Sequence, residues 1–313
     1  MARLSHSKSV PVAELLARVT RRLQRARLCY GHGTDRARDD AAALIWHALK
    51  LPPRPTLRQL ARPLTTPQLT TLERLVTRRV AERVPVVYLT QRAWFAGLEM
   101  FIDERVLIPR SPLAELIEVA FKPWIDAQRV ARVADVGTGS GCIAIACAYA
   151  FAHARVDAVD ISEPALQVAR LNVRRHRLTA RVKVLRSDHF SALKAQAYDI
   201  IVSNPPYVGA AELATLPLEY GHEPVGALAA GIDGMDSVRA LLRDAAQYLR
   251  PGGILVVEVG NTERRVRQQF PRVPFTWLEF SRGGGGVFLL TREQLVGPAV
   301  GFARPAATKR RRR

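Results

Sequence analysis

Hydrophobic and polar positions recur along this chain with two different periods, and the change of period divides it. Over residues 11–28 apolar side chains fall at Val12, Leu15, Leu16, Val19 and Leu23, the spacing of a helix whose other face carries Arg. Residues 39–49 and 67–84 repeat that spacing, with Pro52, Pro53 and Pro55 breaking the chain between them. From Val86 the period shortens. Residues 86–89, 94–95 and 100–102 read as short strands, and Gly97 is placed to turn the second into the third as a hairpin. A domain boundary is expected after that hairpin, near residues 105–125.

Beyond residue 131 strands and helices alternate, which predicts a parallel sheet covered by helices. The predicted strands are 132–136, 155–161, 181–185 and 198–203, with helices at 142–152 and 164–175. A helix over 237–249 is expected to stop at Pro251-Gly252-Gly253, before a strand at 254–259. Two last strands, 275–280 and 287–290, flank the glycine run 283–286, a loop too short for anything but antiparallel neighbours. The expected fold class is therefore α/β. Residues 1–105 form a helical domain ending in a β-hairpin, 106–300 a Rossmann-like sheet closed by an antiparallel C-terminal hairpin, and 301–313 a disordered basic tail.

Composition adds exclusions. The apolar share of 48% supports a core of this size. The longest apolar run, residues 142–152, is too short to span a bilayer, and residues 2–22 interleave apolar residues with Arg and Lys, unlike a signal peptide. Cys29, Cys142 and Cys147 form no metal-ligand pattern, so no metal and a reduced, cytoplasmic compartment are expected. The net charge of +19 sits at the two ends. Residues 1–100 carry 18 Lys and Arg against 7 Asp and Glu, and residues 301–313 carry six basic residues and no acid. Two readings stay open: solvated Arg-rich faces, or steering toward a polyanion such as RNA.

Two stretches carry chemistry. Gly137, Thr138, Gly139, Ser140 and Gly141 leave the first predicted strand of the sheet and open a helix, where glycine lets backbone pass close to a ligand and unpaired N–H groups face it. The spacing is G-x-G-x-G, which favours a compact nucleoside site over a pyrophosphate cradle. Asp160 ends the second strand, where a carboxylate accepts the hydroxyls of a ribose; capping the next helix is its alternative role. Asp188 and His189 are expected to end the third strand on the same rim, near an adenine. Asn204, Pro205, Pro206 and Tyr207 then stand at the end of a buried-type strand. Proline ends strands for ordinary reasons. Yet an Asn side-chain oxygen and the Pro205 carbonyl, each accepting one N–H, would let a planar nitrogen pyramidalise and expose its lone pair. Tyr207 offers a flat face to a planar group. No general base is needed on this reading, and none is evident nearby.

These motifs resemble those of class I methyltransferases that modify glutamine side chains. More specifically, the chain resembles the ribosomal protein uL3 glutamine methyltransferase family, through Tyr30-Gly31-His32-Gly33-Thr34-Asp35, Val106-Leu107-Ile108-Pro109-Arg110-Ser111-Pro112, the run from Gly139 to Ala146, His222-Glu223-Pro224, Gly260-Asn261 and Pro274-Phe275-Thr276-Trp277. The resemblance implies a class I methyltransferase fold and S-adenosylmethionine as methyl donor. Gly137 to Gly141, Asp160, Asp188, His189 and Asn204 would contact it, and Asn204 to Tyr207 would hold a glutamine amide of uL3. The sister family that methylates peptide release factors is similar from Gly137 to Tyr207 but usually reads Pro-Arg-Pro-Asp-Thr-Glu where this chain has Ser111-Pro112. Adenine-N6 methylation of nucleic acid shares Asn-Pro-Pro-Tyr. A non-enzymatic RNA-binding protein would leave both motifs without a purpose.

Overall fold

The computed structural model describes residues 11–61 and 64–297; the tail expected to be disordered lies outside them. Three longer helices, Val12–Arg25, Ala37–Leu49 and Thr66–Ala81, build the N-terminal part. The first buries Val12, Leu15, Val19 and Leu23, the stripe its sequence spacing dictates. The third starts on a capping box, Thr65 and Gln68 satisfying each other's backbone N–H groups, with Pro67 in its first turn.

Residues 86–89 are not a strand. Val86–Thr90 is a short helix, entered from Pro85 and closed by Gln91 at φ 55°. All five of its residues are buried, so no alternation of buried and exposed positions exists from which a period could be read. The hairpin follows as expected: β1 (Arg92–Phe95) pairs antiparallel with β2 (Leu98–Phe101). Ala96 and Gly97 turn between them with φ of 47° and 72°, the left-handed pair that a two-residue turn demands.

The sheet consists of β3 (Arg132–Val136), β4 (Arg155–Asp160), β5 (Val182–Arg186), β6 (Tyr198–Ser203), β7 (Leu249–Glu258), β8 (Thr276–Leu278) and β9 (Val287–Thr291). Its order is β5-β4-β3-β6-β7-β9-β8; β3 to β7 run parallel, and β9 runs antiparallel to both β7 and β8. The chain winds outward from β3 to β5, then returns to β6 on the other side of β3. That reversal opens a crevice at the C-terminal ends of β3 and β6.

Pro251-Gly252-Gly253 does not stop anything. β7 runs through it, and its register against β6 slips between Tyr198 and Ile200. A Cβ at Gly253 would stand 2.9 Å from the Arg250 carbonyl and 3.0 Å from that of Tyr198, so only glycine lets the bulge form.

The two faces of the sheet feed two cores. Val133, Ile200, Val202 and Val256 share a continuous apolar cluster with Leu15, Leu44 and Leu72 of the N-terminal helices. Ala134, Ile201, Leu255 and Val257 pack with Val238, Leu241 and Leu242 on the far side. Asn172, fully buried, links the hairpin to the sheet: it accepts the N–H of Phe101 at 2.8 Å and donates to the carbonyls of Phe101 and Ser140, both at 2.9 Å. No helix among the described residues is long and apolar enough to cross a membrane.

Candidate active site

A cavity of about 420 Å³ fills the crevice. Gly137, Thr138, Gly139, Ser140, Asp160, Asp188, His189, Asn204, Pro205 and Pro206 all line it. Gly141 and Tyr207 do not. Gly141 caps the helix Cys142–Ala150 at φ 81°, and its missing Cβ makes room for Ala169, which would stand 3.3 Å away. The Tyr207 ring lies against Gly260, where a Cβ would come within 2.7 Å of it. A wider, open groove of about 640 Å³ runs past Gly260, Asn261, Arg264, Arg267 and Gly286, and contains none of the residues 137–141, 160, 188–189 or 204–207.

The glycine turn is held from below. Asp135, one residue before the end of β3, is fully buried, accepting the Thr138 hydroxyl at 2.5 Å and the Ala144 N–H at 3.0 Å, while its other oxygen has no partner. Burial pushes this carboxyl up to about 7. Gly137 and Gly139 adopt φ of 77° and 53°, which admits glycine readily and other residues rarely. A Cβ at Gly137 would stand 3.9 Å from the Asn204 carbonyl oxygen, so the turn and the reactive stretch face each other.

Asp160 serves the turn and the next helix together. One of its oxygens accepts the Gly139 N–H and the other that of Ser162, both at 2.9 Å. The capping role is therefore present alongside a position on the cavity wall, and each oxygen keeps further acceptor capacity. Burial raises this carboxyl above its ordinary value. β5 ends at Arg186, two residues short of Asp188, so Asp188 and His189 stand in the following loop rather than on the strand. They contact each other at 2.7 Å on the solvent side of the rim.

At the reactive end the Ser203 hydroxyl donates to the Val136 carbonyl at 2.6 Å and pins β6 to β3. The side-chain oxygen of Asn204, the next residue, is buried and has no hydrogen-bond partner. An unmet acceptor at a cavity wall is a standing demand for a donor.

The segment joining hairpin to sheet forms the opposite wall, from Arg105 to Ser111. Sequence reasoning gave these residues no role at the site. They are tied to the loop that follows the reactive stretch: Glu223 accepts the Ile108 N–H at 3.1 Å and Arg110 at 2.7 Å. Glu219 of the same loop accepts the Cys29 N–H at 2.9 Å and faces Arg79 and Arg83 at 3.6 and 3.3 Å. The N-terminal part thereby closes the site from one side. Glu258, a buried carboxyl that accepts from Ser111 and Tyr207 behind the cavity wall, also escaped notice.

Comparison with known proteins identifies the family. Residues 14–90 match the PrmC N-terminal domain, and residues 120–216 the methyltransferase small domain. Proteins named ribosomal protein uL3 glutamine methyltransferase from Neisseria meningitidis serogroup B and serogroup A are each 44% identical, over 91% of this chain and 94% of theirs. That of Neisseria gonorrhoeae is 42% identical, over 91% of this chain and 96% of its own. Similarity of this extent spans the helices, the glycine turn and the reactive stretch together, and the chain belongs to the ribosomal protein uL3 glutamine methyltransferase family.

Proposed function

We propose that the chain methylates the side-chain amide nitrogen, N5, of a glutamine in large-subunit ribosomal protein uL3. What supports uL3 over a release factor or a nucleic-acid base is the name carried by relatives 42–44% identical across nine tenths of the chain. The observation that carries the chemistry is the orphaned Asn204 oxygen in the cavity wall. Offered uL3 and a release factor side by side, the purified enzyme is expected to label one glutamine of uL3. Preferential labelling of the release factor would reverse the substrate assignment.

The cavity suits S-adenosylmethionine, with open glycine backbone at one wall, an acceptor carboxylate at Asp160 and room for one nucleoside. Bound there, it supplies an electrophilic methyl group on a sulfonium. Gly137 to Ser140 and Asp160 hold it, with Asp188 and His189 at the outer rim. Asn204 accepts one amide N–H and the Pro205 carbonyl the other, which stabilises positive charge developing on nitrogen. The two prolines keep those acceptors from reorganising, and Tyr207 braces the reactive stretch. Asp160→Asn is expected to weaken methyl-donor binding by about 1.5–3 kcal/mol, roughly tenfold to hundredfold, because a charged acceptor of hydroxyls is lost. Calorimetry showing unchanged affinity would remove Asp160 from this role.

Residues 11–105 are proposed as the substrate-recognising part, with ribosomal RNA as a second contact. Arg21, Arg25, Arg38, Arg58 and Arg74 are exposed there and have no acidic partner among the described residues. A basic ribosomal protein repels such a surface, whereas RNA carried with it would attract it. Methylation of RNA-bound uL3 should therefore fall steeply as salt rises, and Arg21→Ala/Arg25→Ala should reduce that dependence. Equal rates on free and RNA-bound uL3 across the salt series would leave RNA no part.

A further inference from the structure

The carboxyl group of Glu258 has no task in the chemistry above. β7 ends on it, and Ser203 of β6 lies opposite Val257 in register, so Glu258 emerges beside Asn204. It is 5% exposed, and no cation pairs with it among the described residues. Two hydroxyls face it instead. Ser111 Oγ donates to Oε2, and the Tyr207 hydroxyl stands 3.4 Å from Oε1. Arg110 acts on it through space, but that guanidinium is bound to Glu223. Burial therefore prevails and pushes the Glu258 carboxyl up to about 7, where it titrates at neutral pH.

Ser111 is the member of this group that lines the cavity, with Asn204, Pro205 and Pro206. Its oxygen accepts the Leu113 N–H at 3.1 Å while its hydrogen goes to Glu258. One lone pair is left for the cavity. The hydroxyl is thus oriented to take a proton from one side and pass its own to the other.

Amide methylation needs such a route. When the new N–C bond forms, nitrogen still bears both hydrogens and a positive charge, so one proton must leave to give a neutral product. The carbonyl oxygens of Asn204 and Pro205 hold N–H groups but are too weakly basic to keep a proton. Asp160 is engaged by Gly139 and Ser162 at the other end of the cavity, and Glu223 by Arg110 and Ile108.

We propose that Glu258 is the terminal proton acceptor of the reaction and that the Ser111 hydroxyl is its relay. The amide N–H bond breaks as Ser111 Oγ takes the proton, and the Ser111 O–H proton moves to Glu258 Oε2. The methylated amide leaves neutral, and solvent recovers the proton from Glu258 between turnovers. Tyr207, donating to Oε1, keeps the carboxylate turned toward Ser111. This inference rests on the amide-methylation reading above.

The test is kcat against pH for the full chain with uL3. In the unaltered enzyme kcat should rise through about pH 7 and level off above it, because the acceptor works only when ionised. Glu258→Gln should lower the plateau by about 10²-fold and abolish the rise, with methyl-donor affinity unchanged by calorimetry. Ser111→Ala should do the same, and carries the test alone if Glu258→Gln does not fold. A rise that persists in either variant would assign the titration elsewhere, for instance to Asp135, and overturn the proposal. So would an equal loss at every pH, which is the mark of a structural staple. Either failure leaves glutamine methylation by the unaltered enzyme intact; its absence would instead sink the underlying reading as well.

Discussion

Asn204→Ala is expected to cut turnover by roughly 10²–10³-fold while leaving the protein at least as stable as before. The two halves of that result come from one atom. The Asn204 side-chain oxygen is buried with no partner in the structure, a state that costs about 1–3 kcal/mol for a desolvated acceptor. Removing it relieves the folded protein of that burden. The same atom would meet its donor in the substrate amide, and more strongly as nitrogen becomes cationic, so its loss falls on the transition state. Affinity for the methyl donor should drop much less, because the glycine turn and Asp160 remain. Denaturation midpoints and single-turnover rates measured on the same preparation decide the matter. A variant of normal turnover would make the Asn-Pro-Pro stretch a strand terminator and nothing more.

The second large effect is on stability and lies far from the chemistry. Arg79→Met should destabilise the fold by about 3–5 kcal/mol. The Arg79 side chain is 2% exposed and reaches three places: Asp40 at 2.7 Å, the Cys29 carbonyl at 2.9 Å and Glu219 at 3.6 Å. Without it Asp40 keeps only the Thr34 hydroxyl, and Glu219 keeps Arg83 and the Cys29 N–H. Burial already raises the Asp40 carboxyl, chiefly against the pull of Arg79. In the variant its folded value climbs further above the unfolded one, so the deficit is smallest at low pH and grows as pH rises through that value. Urea unfolding at two pH values measures both effects. A loss under about 1 kcal/mol would mean that the cluster is exposed to water in solution. Because Glu219 sits in the loop after the reactive stretch, activity should soften along with stability.

The central parallel strands β3 and β6 were legible because each is a short, largely apolar run with a motif at its end, and the motif reports the strand. Gly137 to Gly141 marks β3 and Asn204 marks β6 without any need for long-range information. The hairpin was legible at Gly97 for a similar reason, since the turn itself has a local signature. What failed had no local signature. Val86–Thr90 is buried on every side, so its run of apolar residues matches a strand and a helix equally well. Pro251 and the two glycines after it read as a stop, yet in a twisted sheet the same residues make a bulge that the strand passes through. Asp135 carried a usable signal, an acid in an otherwise apolar strand end just before the glycine turn. Glu258 carried almost none. Its meaning comes from Ser111, 147 positions earlier, and no periodicity connects the two.

The most direct measurement is the mass of each ribosomal protein in cells with and without this chain. The account predicts that uL3 from cells lacking it is lighter by one methyl group, that fragmentation places the missing group on a single glutamine, and that Asn204→Ala fails to restore it. An unchanged uL3, with the missing methyl group on a release factor or a nucleic-acid base, would contradict it.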